Sequence, residues 1–234
     1  MNKTLTLLIA AIGSLFVVAC HNEKEEIISQ WEDGTPQLVR KYRGTEEHKI
    51  KTAEIRYYAN GKKQYEKYYK GENSEPHGTW TYYYENGATF ASAEFDHNNP
   101  LGKNWSFLDP TGKDFFTGSC DSVRVLELND YETPATVCFY NDSCLNMFQF
   151  YSTCTLRSQG KIVNGKREGV WQFFFSNGQP QTEATFVDGK EEGTYIVYRE
   201  NGIPFYRGQY KAGKRTGEWE VYDEEANLVA TQTY

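Results

Sequence analysis

The chain has 234 residues and a formal net charge of −7, with 25 Lys and Arg against 32 Asp and Glu. That balance excludes the positive footprint that nucleic acid and anionic lipid head groups require. Eighteen Tyr, 14 Phe and 5 Trp beside 20 Gly and only 2 Met suit pleated, half-buried sheet better than helix.

Residues 1–19 read as a secretory leader, with Lys3 near the start, an apolar run Leu5–Val18 and then Ala19-Cys20. The apolar run is too short for a comfortable membrane span, which takes about 20 residues. Ala19-Cys20 resembles the bacterial lipobox. The resemblance implies cleavage before Cys20, lipid attachment to Cys20 and a place in the bacterial cell envelope, with membrane contact through that anchor. Residues 20–26 read as a charged tether, and Lys24-Glu25-Glu26 is similar to the short export signals of some surface lipoproteins.

Turn signals then punctuate the chain to its end. They are Asp33-Gly34, Asn60-Gly61, Asn86-Gly87, Thr111-Gly112, Asn141-Asp142, Asn177-Gly178, Asn201-Gly202 and a degenerate Ala226-Asn227. Asn-Gly and Asp-Gly between alternating apolar runs predict hairpins with type I′ turns, which need positive φ at both central residues. Eight hairpins fit. The phrase is clearest at GVWQFFFSNG from Gly169, GTYIVYRENG from Gly193 and GEWEVYDEEA from Gly217, whose opening glycines are 24 residues apart. Fixed-period self-similarity is the mark of a repeat architecture.

The pattern Gly-x-Trp/Tyr, an aromatic strand, Asn-Gly, an aromatic return strand and a Gly-Lys-x-x-Gly loop resembles the MORN repeat in its bacterial variant form. The resemblance covers about Trp31–Gly118 and Gly160–Tyr234. It implies an all-β fold of antiparallel hairpins stacked into one elongated, twisted sheet, with repeats over 27–118 and 159–234. Bacterial arrays of this kind are often described as antitoxin-like, which implies a protein partner.

Residues 119–158 depart from the pattern while keeping strand-like runs at Val123–Leu128, Thr136–Tyr140 and Leu145–Tyr151. They read as a divergent β insertion, a widened hairpin unit or a small separate domain. Cys120, Cys138, Cys144 and Cys154 all fall inside it. An even count in an exported protein favours disulfides, with three possible pairings. Buried free thiols are the alternative, and the spacing, without a histidine in the window, argues against zinc.

Catalytic chemistry is not spelled out. Gly208–Arg215 has the spacing of a phosphate-binding loop, but Arg215 stands where Ser or Thr must hold Mg²⁺, and a strand follows instead of a helix. His21, His48, His77 and His97 are scattered, with only the inter-unit loops of His77 and His97 offering a remote chance of a metal site. No catalytic residue, cofactor or metal is expected. Tyr83, Phe174, Tyr198 and Tyr222 lie one step out of phase with the inward aromatics and form a candidate binding surface, of the residue type favoured at interfaces. The expected function is therefore non-catalytic: a lipid-anchored envelope scaffold binding a protein or polysaccharide. An antitoxin-like role is the second reading, and an envelope hydrolase using paired carboxylates the third.

Overall fold

The computed structural model describes residues 23–115, 122–130, 133–141 and 144–234. All regular structure among them is β, and nearly all of it is consecutive antiparallel pairing. The first sheet holds β1 (Lys24–Gln30), β2 (Pro36–Gly44), β3 (Lys49–Tyr57), β4 (Lys63–Lys70), β5 (Glu75–Pro76), β6 (Gly78–Tyr83), β7 (Thr89–Asp96) and β8 (Asn99–Phe107). The second holds β9 (Ser122–Leu128), β10 (Pro134–Asn141), β11 (Cys144–Phe150), β12 (Leu156–Val163) and β13 (Lys166–Phe174). It continues through β14 (Pro180–Val187), β15 (Lys190–Tyr198), β16 (Pro204–Lys211), β17 (Lys214–Tyr222) and β18 (Leu228–Thr233).

The all-β hairpin reading holds, with two corrections of extent. The array is two sheets rather than one, and β9–β11 of the divergent segment are the first strands of the second sheet. At the N-terminus, Lys24, Glu25 and Glu26 belong to β1, opposite Tyr42, Lys41 and Arg40, so this part of the expected tether is strand. Leader residues 1–19 and Cys20 lie outside the described residues.

The hairpin loops follow one rule, which differs from the expected one. In Tyr84–Ala88 the amide of Tyr84 donates to Ala88 O and that of Gly87 donates back to Tyr84 O, both at 2.8 Å. Only the glycine has positive φ, at 87°. This is a three-residue loop, a turn followed by one left-handed residue, and not a type I′ turn. The same two bonds recur at 31–35, 58–62, 109–113, 151–155, 175–179, 199–203 and 223–227. Asn60, Asn86, Asn177 and Asn201 accept the backbone amide two residues on, which selects Asn at that place.

The fifth loop of this kind is therefore Tyr151–Thr155, with Cys154 in the left-handed position at φ 66°; Asn141 pairs with Cys144 at the end of the β10–β11 hairpin, and Asp142 of the expected turn lies outside the described residues. True two-residue turns close the units instead. Asn164-Gly165, Asp188-Gly189 and Ala212-Gly213 have positive φ at both residues, between the paired Val163 and Lys166, Val187 and Lys190, and Lys211 and Lys214. The supposed phosphate-binding loop is the last of these turns.

The loops are also tied to one another. Asn60 Nδ2 donates to Glu85 O at 2.8 Å, Asn86 Nδ2 to Pro110 O at 3.3 Å and Asn177 Nδ2 to Glu200 O at 3.5 Å. The loop-opening Tyr58, Tyr84 and Tyr151 send their hydroxyls to Tyr83 O, Leu108 O and Phe174 O.

The two sheets meet face to face over part of their lengths. Tyr65, Tyr82, Ala91 and Phe107 are successive cross-strand partners and so share a face, as do Val125, Val137 and Phe148 in the second sheet. Phe90 and Phe150 rings lie 4.8 Å apart, and Phe107 lies 6.2 Å from Phe139, each across the gap. Tyr82, Phe90, Ala91 and Val137 are wholly buried in this shared core. Strands β13–β18 run on beyond the overlap as a single layer, with their own small core around Trp171, Ala184 and Phe186.

Candidate functional site

Register shows which residues share each face of the single-layer part. One row continues out of the sandwich: Phe148, Gln159, Gln172, Glu183, Ile196, Arg207 and Glu220 are consecutive partners. It turns from apolar to polar where the first sheet no longer covers it. Phe174, Tyr198 and Tyr222 lie two residues beyond Gln172, Ile196 and Glu220, on that same face, at equivalent places of alternate strands. All three are half-buried. Tyr222 donates to Glu220 Oε2 at 2.7 Å, which pushes its phenol pKa up, with a smaller push from burial. Burial, then the nearby Glu183 carboxylate, does the same to Tyr198.

Tyr83 does not join them. It lies on the first sheet, on the face turned away from the second, and donates to Glu66 Oε2 at 3.0 Å. Burial and that carboxylate raise its pKa to about 12. The candidate surface is thus a row of three in the second sheet, with Tyr83 apart.

The opposite face of the second sheet carries the repeat's large rings. Three units of this sheet pair the opening aromatic with one 15 residues later, Trp171 with Phe186, Tyr195 with Tyr210 and Trp219 with Tyr234, as Trp80 pairs with Phe95 in the first sheet. Room for the ring comes from the preceding return strand. A Cβ on Gly160 would meet the Trp171 ring at 2.3 Å, and one on Gly208 the Trp219 ring at 2.2 Å. Before the smaller Tyr195 the equivalent residue is Ala184. Arg167 and Arg215 lie over these rings, 4.6 Å from Trp171 and 4.4 Å from Trp219. A single layer thereby shields its own indoles without a second sheet, in the way long cationic side chains cover apolar surface.

The cysteines form no bond where they can be followed. Cys138 and Cys154 are buried free thiols, so the expected disulfides are not formed at these two. Burial raises both thiol pKa values, that of Cys154 to about 12. Cys154 serves the fold as an apolar plug between the sheets, beside Tyr58 and Tyr84. Cys120 and the side chain of Cys144 lie outside the described residues.

His77 is exposed, and His97 sits 3.6 Å from Glu75. His48 Nδ1 lies 2.8 Å from Glu47 O, and His21 is outside the described residues. Among the described residues no three His, Cys, Asp or Glu side chains gather as metal ligands would.

Sequence reasoning missed one polar cluster. In β2–β4, on the face turned toward the second sheet, Glu54 accepts from Arg40 Nε at 2.7 Å and from the Tyr65 hydroxyl at 2.9 Å, with Lys51 3.7 Å away. Burial alone would raise the Glu54 pKa, but Arg40, Lys51 and Tyr65 together hold it below the usual carboxylate range. Lys67, only 1% exposed, lies over the Tyr65 ring at 4.1 Å and the Trp80 ring at 5.2 Å. The sequence signal was the alternation of charged residues in Arg40, Glu54, Arg56 and Lys67, which reads as a solvated strand face until the second sheet is seen above it.

No curated protein matches the chain. Residues 53–70, 76–97 and 167–188 match the MORN repeat variant family, at β3–β4, β6–β7 and β13–β14, so segments similar to this repeat occur in both sheets and the protein is a β-repeat protein.

Proposed function

We propose that this protein is a non-catalytic scaffold of the bacterial envelope, lipid-anchored through Cys20, that captures a partner protein on the uncovered half of its second sheet. The reading is carried by the row Phe174, Tyr198 and Tyr222. These half-exposed rings recur every 24 residues between Gln172, Glu183, Arg207 and Glu220, on the face the first sheet leaves free. Aromatic anchors with interspersed polar groups and an arginine suit a protein surface. A rigid hairpin ladder holds them at fixed intervals, so little ordering has to be supplied on binding.

Crosslinking and capture of the mature protein from its own envelope tests this, with a triple variant Phe174→Ser, Tyr198→Ser, Tyr222→Ser as the comparison. A defined protein partner lost in the variant, at an unchanged far-UV spectrum, is the expected result. Equal capture by both forms, or recovery of polysaccharide alone, overturns it. The anchor has its own check: Cys20→Ala should move the protein from the membrane fraction to the soluble one.

A further inference from the structure

The face that carries Phe174, Tyr198 and Tyr222 has a symmetry of its own. Counted outward from Ile196 on β15, Glu183 on β14 has its counterpart in Arg207 on β16, and Gln172 on β13 in Glu220 on β17. The neighbouring row repeats the order, with Phe174 and Tyr222 on either side of Tyr198. An acidic and a basic side chain thus stand on opposite sides of one strand, each about 4.8 Å from it. Glu183 accepts from the neutral Gln172 at 3.3 Å, and Arg207 is exposed. Val170 and Val187, two and four residues along β13 and β14 on this face, leave apolar surface in water at 54% and 50% exposure.

A second copy, turned over onto this face about a two-fold axis along β15, meets each residue with its counterpart. Glu183 meets Arg207 of the second copy and Arg207 meets its Glu183, while Gln172 meets Glu220, Phe174 meets Tyr222 and Tyr198 meets Tyr198. An axis across the strands would instead set Glu183 on Glu183 and Arg207 on Arg207, and like charges across an interface suppress association. The charge pattern therefore selects one orientation, an isologous contact of the commonest oligomer symmetry. Six strands about 4.8 Å apart and six to nine residues long make a face on the order of 700 Å². That is close to the roughly 800 Å² per partner of a standard interface. Lys161, on the same face of β12, is exposed, which leaves room for β18 of the second copy.

We propose that the protein taken up by this face is a second copy of the chain, in a two-fold dimer of packed second sheets. The inference rests on the reading of the row as a protein-binding surface and adds which protein it binds.

Sedimentation of the mature protein in detergent over a range of concentrations tests it, and should show a monomer–dimer equilibrium. Glu183→Arg and Arg207→Glu, each alone, should raise the dimer dissociation constant roughly tenfold, since each puts like charges together. The two reversals combined should bring it back to the wild-type value, which a merely misfolded variant would not do. A bis-maleimide spanning about 10 Å, the spacing of packed sheets, should join two copies of Ile196→Cys and leave the wild type unjoined. A dimer that neither single reversal weakens, or that the double reversal does not restore, overturns the proposal. A monomer at every concentration overturns it too. If the Phe174, Tyr198 and Tyr222 triple variant then still loses capture of some other protein, the binding surface stands and only its occupant is wrong. If capture is also unchanged in that variant, both readings fall.

Discussion

In the unit Gly78–Phe95 the tryptophan face is turned inward, onto the second sheet; in Gly169–Phe186 the same face is turned out. The two share their spacing residue for residue, with Trp80 and Trp171, Asn86 and Asn177, Ala93 and Ala184, Phe95 and Phe186 in equivalent places. Both indoles are buried, to 2% and 1% exposure. The difference lies in the residues that the repeat pattern does not specify. Phe90 and Ala91 are fully buried under the second sheet, while their equivalents Gln181 and Thr182 are half-exposed. The repeat thus specifies a hairpin and its ring pair. The off-pattern positions decide whether a second layer can close over it.

The widest separation of the two units comes from Phe90→Ala against Gln181→Ala, followed by urea denaturation. Phe90→Ala should cost about 3–5 kcal/mol, the range for truncating a buried aromatic. Gln181→Ala should stay within about 0.5 kcal/mol. Similar costs at the two positions would mean that layering does not distinguish the units.

A smaller effect tests how the single layer holds its indoles. Gly208→Ala places a methyl against the Trp219 ring and should cost about 1–3 kcal/mol as overpacking. Adding Trp219→Tyr should restore most of that loss, because Ala184 before Tyr195 is the arrangement already tolerated one unit earlier. Strict additivity in this double-mutant cycle would refute the fit between glycine and indole.

The least effect is expected in the last loop. Ala226 is exposed and left-handed, with φ 66°, where the sibling loops have Gly178 and Gly202. Replacing it by Gly should stabilise by about 1 kcal/mol, the lower end of the left-handed cost for an L-residue. A lowered melting midpoint would show that some contact of the Ala226 methyl outweighs the backbone term.

Much of the fold was legible because hairpin chemistry is local. Asn beside Gly marked loop after loop, and the strand alternation placed Trp80, Tyr82 and Tyr84 on one side. Locality also explains the errors. Asn-Gly satisfies both a type I′ turn and a turn with one left-handed glycine, and the choice depends on loop length, which the dipeptide does not contain. The Tyr151–Thr155 loop was hidden because Cys154 replaces the glycine that announces the others. The division into two sheets depends on Phe107 meeting Phe139 and Phe90 meeting Phe150, long-range contacts with no periodic trace. Of the four candidate surface residues, Phe174, Tyr198 and Tyr222 share one face of the second sheet, as their phase implies. Tyr83 shares that phase but lies on the other sheet, and phase does not report which sheet a strand joins. The polar cluster around Glu54 and Lys67 needs both sheets in place before its burial can be seen.

The asparagine bonds from one loop to the next have a consequence for how such a protein can change in length. In the second sheet a loop carbonyl accepts from the side chain of the loop before it, Ser176 O from Thr155 and Glu200 O from Asn177, and the loops recur every 24 residues, as the left-handed positions 154, 178, 202 and 226 mark out. A duplicated unit would find both its neighbours already fitted to it, because each repeat contacts little beyond those neighbours. Growth would then add one more ring row per step and leave the paired sheets at the other end untouched. Reach is the property this molecule can vary most cheaply, while the layered core stays fixed.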